Sequence, residues 1–146
     1  LDYNATTPID KDVAEAMLQY IYVNYGNPSS NHKMGVTAKK SIEKARGQVA
    51  ELINCSPEEI IFTSGGSESN NMVIKGVAHT LKHNGNHIIT TKVEHPAVLN
   101  PCYYLEKLGY RVSYLNVDKY GIVNLSELES LITDETILVT ANKRYF

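Results

Sequence analysis

The sequence has little cysteine, little excess charge and no long hydrophobic run, and each shortage excludes a class of protein. Its two cysteines, Cys55 and Cys102, do not form a CxxC pair. We therefore expect neither a zinc site nor a disulfide framework, and we predict two buried thiols. Fourteen Lys and Arg against sixteen Asp and Glu give a net charge of −2, which argues against nucleic acid as a partner.

No stretch approaches the roughly 20 apolar residues that cross a bilayer, and the N-terminal residues lack a basic segment followed by an apolar one. We therefore expect a soluble, non-secreted, cytoplasmic protein without a membrane partner. The chain opens on "LDYNATTP" without an initiator Met, so a targeting segment could be missing, and an organellar location stays open. Both ends of the chain look cut.

Hydrophobic periodicity predicts alternating helices and strands in these 146 residues. Three helices are expected to begin near Asp10, Val36 and Ser67, and two more to cover 96–108 and 126–132. Pro101 is expected to kink or restart the helix at 96–108. The expected strands are 60–63, 87–91, 110–115 and 136–140. In the helices, the predicted apolar faces comprise Val13, Ala14, Met17, Leu18 and Ile21, then Ile42, Ala45, Val49 and Leu52, then Val73, Val77 and Leu81. Such alternation indicates an α/β fold with a largely parallel, buried sheet.

The segment "FTSGGSESNN" at 62–71 joins a predicted strand to a predicted helix. Gly65 and Gly66 allow close backbone approach, and Ser67 offers a hydroxyl at a helix N-terminus, where the dipole favours an anion such as phosphate. A glycine turn with Ser67 as the N-cap explains the same residues without a ligand. The segment lacks a Walker lysine and a dinucleotide fingerprint, and local sequence leaves both interpretations open.

Four ordered motifs together resemble the cysteine desulfurases and the similar selenocysteine lyases. They are "LDYNATTP" at 1–8, "GNPSS" at 26–30, "FTSGGSESNN" at 62–71 and "VEHPAVL" at 93–99. The resemblance implies the aspartate-aminotransferase-like fold of fold type I pyridoxal 5'-phosphate (PLP) enzymes. It also implies the activity of that family, which removes sulfur from cysteine, or selenium from selenocysteine, and leaves alanine. The sulfur is passed on as a persulfide for iron–sulfur clusters and other thio-cofactors.

By this resemblance, Gly66 and Ser67 bind the phosphate of PLP, and His95 stacks on the pyridine ring and transfers protons. Asn4 and either Thr6 or Thr7 match an arm near the active site, although a capped turn before Pro8 explains them as well. Without the motif, His95 reads as a solvated histidine. We expect the other four histidines to be solvated: His32, His79, His83 and His87.

"SSNHK" at 29–33 has the pattern of the family's Schiff-base lysine, but it follows "GNP" at the early motif. We therefore expect Lys33 to be a solvated side chain at the start of a helix. The strand at 137–140 continues as "ANKRYF", where the family continues into Asn-Asn-Glu. The resemblance also leaves the Schiff-base Lys, the Asp on the pyridine nitrogen, the sulfur-accepting Cys and the substrate-binding Arg unmatched. We expect this chain alone to be inactive.

The resemblance predicts an N-terminal arm and first helix at 1–30, part of the PLP-binding large domain at 31–140, and an aberrant or truncated C-terminus at 141–146. The leading hypothesis is the N-terminal portion of a cysteine desulfurase acting on L-cysteine. A complete form is expected to be a homodimer that works with a sulfur-acceptor or scaffold protein. The alternatives are a selenocysteine lyase and a short non-catalytic product that binds a full-length partner.

Overall fold

The computed structural model describes residues 6–142, which form two compact units that meet in sequence between Phe62 and Thr63. The first unit contains α1 (Lys11–Tyr22), α2 (Lys33–Ile53) and a short 3-10 turn (Pro57–Glu59). The second contains α3 (Gly66–Thr80), β1 (His87–Thr91), α4 (Pro96–Lys107), β2 (Arg111–Leu115), α5 (Leu125–Leu131) and β3 (Thr136–Thr140). None of the helices within 6–142 is long and apolar enough to cross a membrane.

In the first unit, α1 begins where the sequence predicts but buries nothing. The Asp10 carboxylate accepts a hydrogen bond from the Asp12 N–H at 2.9 Å, which confirms the predicted N-cap. None of the 12 residues of α1 is buried. The predicted apolar face of this helix is therefore left uncovered within the unit, because the periodicity selects a face without supplying a neighbour to cover it.

Small residues, rather than the predicted large ones, are the buried positions of α2. The helix buries Gly35, Ala38 and Ala50, whereas Leu52 is 83% exposed. Gly35 is required because a Cβ there would collide with the carbonyl of Ser30, in the loop that precedes the helix. Backbone approach therefore determines which face of α2 is buried.

The predicted strand at 60–63 is wrong, since these residues form no strand in the structure. Instead, the Arg46 guanidinium donates a hydrogen bond to the Ile60 carbonyl and lies 5.0 Å from the centroid of the Phe62 ring. β-Branched residues favour an extended backbone, but a strand also needs a hydrogen-bonded neighbour. In this segment, one of the backbone acceptors is satisfied by a side chain.

The second unit is an α/β structure around a parallel sheet, as predicted. Its three strands are ordered β2-β1-β3, and β1 pairs in parallel with both neighbours. All five residues of central β1 are buried. The core cluster joins the sheet to α3 and α4 and comprises Ile74, Ala78, Ile88, Val98, Cys102 and Leu105.

Two details of the helices in this unit differ from expectation. Helix α3 buries Ile74 and Ala78, so the predicted face containing Val73 is shifted by one residue. Pro101, expected to kink or restart α4, lies inside a helix that continues through it and is itself buried. The position of the sheet and the partner helix, rather than the apolar spacing alone, selects the buried face.

His87 was expected to be solvated and is instead fully buried at the start of β1. Its Nδ1 lies 2.8 Å from Thr136 Oγ1 on β3, and its Nε2 lies 2.9 Å from Ser113 Oγ on β2. Burial lowers the pKa of His87, and the nearby positive charge of Arg111 lowers it further. The ring therefore connects all three strands in its neutral form.

Candidate functional site

A cleft of 380 Å³ with several polar side chains in its lining lies between α3 and α4 in the second unit. It is lined by Ser67, Asn71 and Lys75 of α3, by His95 at the N-cap of α4, and by Pro96, Ala97, Asn100, Pro101 and Tyr104 within α4. Ser67 and His95, which were predicted from two separate motifs, thus lie on one cleft. Gly66, the third predicted residue, is the first residue of α3.

The N-terminus of α3 leaves its first amide groups uncapped by side chains of the described residues. Gly65 is the N-cap, and no side-chain hydrogen bond caps it. Ser67 is the second residue of the helix, so the interpretation of Ser67 as the N-cap is wrong. The amides of a first helical turn point outward along the axis and favour an anion. The absence of a side-chain cap therefore leaves room for an anionic ligand.

Glu68 also lies in the first turn of α3, but its charge is already engaged outside the cleft lining. Its carboxylate accepts hydrogen bonds from the Ser64 hydroxyl at 2.6 Å and from the Ser64 N–H at 2.7 Å. These bonds, the hydroxyl bond foremost, lower the pKa of Glu68 and keep it ionised. The carboxylate thereby fixes the loop that leads into α3.

His95 is the N-cap of α4 and is exposed to solvent. Its Nδ1 accepts a hydrogen bond from the Ala97 N–H at 3.0 Å. Since Nδ1 is the acceptor, the neutral imidazole carries its proton on Nε2. The cap therefore fixes the tautomer and leaves an N–H donor on the other side of the ring.

The sequence analysis missed Asn71 and Lys75. Asn71 donates a hydrogen bond from its side-chain amide to the Ser67 carbonyl at 3.0 Å, and the Lys75 ammonium lies 5.0 Å from the centroid of the Tyr104 ring. With Ser67, the two residues recur at steps of four along α3, and this spacing places them on one helix face. That spacing was the available signal, and it adds a cation to the cleft.

The other candidates lie elsewhere. Asn4 is outside the described residues, and Thr6 is an exposed residue of the first unit. Lys33 is the exposed first residue of α2, as predicted, and His32 caps that helix by accepting from the Gly35 N–H. His79 and His83 are exposed, as expected. Within residues 6–142, no cluster of His, Cys, Asp or Glu has a geometry that could hold a metal ion.

The two cysteines differ in burial. Cys102 is fully buried, as predicted, and burial raises the pKa of its thiol to about 11. Cys55 is only partly buried, so the prediction of two buried thiols holds for Cys102 alone.

The donors of the cleft fit a ligand with a phosphate at one end and a planar ring at the other. The uncapped amides and the Ser67 hydroxyl suit the phosphate, and the His95 imidazole supplies a flat surface with one N–H. A larger cleft of 930 Å³ in the first unit has a different character, since Arg46 is the one charged side chain among the described residues that line it. The smaller cleft is thus the better candidate for PLP.

Curated proteins similar to this chain are cysteine desulfurases. The chain is 52% identical over 140 residues to cysteine desulfurase IscS of Dictyoglomus turgidum, covering 96% of the chain and 36% of that protein. It is 51% identical over 141 residues to the IscS of Neisseria gonorrhoeae, covering 96% of the chain and 35% of that protein. The chain therefore spans about a third of the length of these relatives.

Solved structures give the same result for the fold. A NifS-like protein superposes with a TM-score of 0.90 at 46% identity, covering 96% of this chain and 38% of that one. A structure of SspA in complex with cysteine superposes with a TM-score of 0.88 at 38% identity, covering 96% of this chain and 40% of that one. The predicted fold of type I PLP enzymes is thereby confirmed.

The sequence pattern of the aminotransferase class-V family, whose enzymes depend on PLP, matches residues 1–144. This match covers both compact units and all four sequence motifs. The chain belongs to the aminotransferase class-V family.

Proposed function

We propose that this chain supplies the phosphate- and ring-binding segment of a PLP-dependent cysteine desulfurase. The observation that carries the proposal is that Ser67 and His95 line one cleft, at the starts of α3 and α4. The relatives named cysteine desulfurase support the choice of activity within the family. The structure of SspA in complex with cysteine supports L-cysteine as the substrate.

The start of α3 holds the phosphate in this proposal. The N–H groups of Gly66 and Ser67 and the Ser67 hydroxyl would donate to its oxygens, and the helix dipole would add a favourable field. Gly66 has no side chain, so the ligand can approach the backbone closely. Binding the phosphate fixes one end of the cofactor and so sets where its ring lies.

His95 would contact the ring of a bound cofactor and would hold or release a proton beside it. Its Nδ1 is engaged by the Ala97 N–H, at 3.0 Å, so Nε2 is the atom that holds or releases the proton. When bound, PLP supplies an electron sink for bonds broken at the substrate. The whole protein transfers the sulfur of L-cysteine to one of its own cysteine thiols. The products are L-alanine and a persulfide on that cysteine.

The 146-residue chain alone is proposed to be inactive. It spans 36% of the Dictyoglomus turgidum relative, and buried Cys102 is unsuited to accept sulfur. For the whole protein we propose a cytoplasmic homodimer that passes sulfur to an acceptor or scaffold protein. The boundaries predicted at residues 30 and 140, and a role for Asn4 and Thr6 beside the cofactor, also stay proposals.

Titration of the chain with PLP tests the binding proposal. Ser67→Ala and His95→Asn are expected to weaken PLP binding by about tenfold to a hundredfold, the cost of losing a hydrogen bond to a charged group or a ring contact. Inorganic phosphate is used as a second probe. It should bind to Ser67→Ala less tightly than to the parent chain, and to His95→Asn as tightly as to the parent chain. This split separates the phosphate contact from the ring contact.

Two variants control for nonspecific effects. Ser126 occupies the second position of α5, as Ser67 does in α3, and His79 is an exposed histidine elsewhere in the unit. Ser126→Ala and His79→Asn should bind PLP as the parent chain does. Equal PLP affinity in all five proteins would contradict the proposed site.

A chimaera tests the activity. The chain replaces the corresponding segment of the Dictyoglomus turgidum cysteine desulfurase, to which it is 52% identical, and alanine is measured after addition of cysteine and a thiol reductant. We expect alanine from the chimaera, much less from its His95→Asn form, and none from the 146-residue chain. A folded chimaera that binds PLP but forms no alanine would overturn the proposed reaction.

A further inference from the structure

Glu94 is a buried carboxylate that the proposed function does not use. It is 8% exposed and lies in the turn between β1 and α4, directly before His95. Its Oε1 accepts a hydrogen bond from the Thr91 hydroxyl at 3.0 Å and another from the Asn142 N–H at 2.9 Å. Burying a carboxylate costs free energy unless hydrogen-bond donors satisfy it, so these two donors are what makes the buried position of Glu94 tolerable.

The two donors come from different strands. Thr91 is the last residue of β1, and Asn142 follows the end of β3 by two residues. The same turn is attached to the third strand as well, because the Lys92 N–H donates to the carbonyl of Leu115, the last residue of β2, at 3.0 Å. The turn that leads to His95 is therefore attached to the carboxyl ends of all three strands.

These hydrogen bonds between the turn and the strand ends constrain the backbone of His95. One side of the ring is held by the Ala97 N–H within α4, and the backbone on the other side is held through Glu94. A residue that must lie flat on a ligand needs both its rotamer and its backbone fixed, because small displacements weaken a stacked contact.

We propose that Glu94 is a positioning residue that sets the place of His95 in the cleft by binding the Asn142 amide. The proposal rests on the proposed function insofar as His95 contacts the cofactor ring. The attachment itself joins the segment after β3 to the candidate site. A change at Asn142 is thereby transmitted to His95 through one carboxylate.

Hydrogen exchange and NMR on the full chain test the attachment without the cofactor. In Glu94→Ala, the Asn142 amide is expected to exchange faster by on the order of tenfold or more, because it loses a charged acceptor. The His95 ring resonances, assigned from their loss in His95→Asn, should shift in the same variant. Glu94→Gln keeps an acceptor oxygen and should restore both signals most of the way towards the parent.

Two further variants separate positioning from general stability. Thr91→Val removes the other donor to Glu94 and keeps the Asn142 bond, so it should leave the exchange of the Asn142 amide nearly unchanged. Glu129→Ala removes an exposed carboxylate of α5 and should change neither signal. Because Glu94→Gln and Thr91→Val are milder changes, they keep the test decisive if Glu94→Ala does not fold.

The outcomes also separate this proposal from the proposed function. Unchanged exchange at Asn142 in both Glu94 variants would overturn the attachment. Faster exchange with unmoved His95 resonances and unchanged PLP affinity would overturn the positioning role while the PLP site stands. If the parent chain binds no PLP while Glu94→Ala shows both the faster Asn142 exchange and the moved His95 resonances, the proposed function is overturned and the positioning of His95 is supported.

Discussion

Strand β1 in the second unit and helix α1 in the first both carry apolar residues, yet their burial is opposite. All five residues of His87–Thr91 are buried, between two neighbouring strands and under the packed helices α3 and α4. In Lys11–Tyr22, no residue is buried, and Val13, Met17 and Ile21 are exposed. The spacing of apolar residues thus indicates which face of an element is suited to burial, whereas burial itself requires a neighbouring element that covers this face.

The largest expected effect comes from the core cluster. Ile88→Ala should lower the free energy of unfolding by about 2–5 kcal/mol, since it removes buried methylenes and leaves a cavity. Leu52→Ala, at a side chain that is 83% exposed, should change it by less than about 0.5 kcal/mol. Urea unfolding monitored by circular dichroism measures both. Similar costs for the two variants would break the comparison between the units.

Two glycines of α2 sharpen the comparison within the first unit, since they should respond with opposite signs. Gly35→Ala places a methyl group against the Ser30 carbonyl and should destabilise by about 1–3 kcal/mol. Nothing lies within 4 Å of a Cβ at Gly47, so Gly47→Ala should stabilise the helix by about 0.5–1 kcal/mol. Thermal unfolding of the two variants decides the signs, and a stabilising Gly35→Ala would show that the close approach is not maintained.

A third prediction concerns the pH dependence of the buried strand. The pKa of His87 is lowered in the folded chain by burial and by Arg111, although Glu135 opposes this. As the pH falls, His87 therefore binds a proton at a higher pH in the unfolded chain than in the folded chain. Stability should be unaffected well above the ordinary pKa of 6.5 and should fall as the pH drops below it, by at most about 1.4 kcal/mol per pH unit.

Urea midpoints between pH 7.5 and 5 measure this slope. His87→Gln removes the titrating group and should flatten the curve, whereas His83→Gln, at an exposed position, should leave the slope unchanged. A curve that rises towards low pH would mean that a folded-state partner stabilises the charged imidazole.

The smallest expected effect is at the cap of α1. Asp10→Ala removes the bond to the Asp12 N–H and should cost about 0.5 kcal/mol, the lower end of the range for N-caps. Because α1 buries nothing, this cost should appear as lost helical signal with an unchanged urea midpoint. A shifted midpoint would show that α1 contributes to the cooperative unit.

Local sequence predicted the elements whose signals are short in range. The Asp10 cap, the strands at 87–91 and 136–140, and the helix that starts at Pro96 depend on residues within a few positions of each other. The resemblance of the motifs at 62–71 and 93–99 to the cysteine desulfurases singled out Ser67 and His95, whereas local chemistry alone predicted only a helix start near Ser67.

Features that depend on residues far apart in the chain could be determined only from the tertiary structure. The run at 60–63 is apolar and β-branched, but the Ile60 carbonyl is taken by the Arg46 side chain. His87 has no local signal of burial and is enclosed because hydroxyls from two other strands reach its ring. Lys75 lines the cleft beside the Tyr104 ring, and these two residues are 29 positions apart in the sequence.

By itself, the sequence determined the alternation of helices and strands and the α/β class, since periodicity, capping and turn chemistry act over a few residues, and its motifs pointed to Ser67 and His95 through a family resemblance. The tertiary structure alone decided which faces are covered, that Ser67 and His95 share a cleft, and that Glu94 connects two strand ends. These outcomes depend on pairs far apart in the chain, such as Glu94 and Asn142, whose approach is set by strand order and packing.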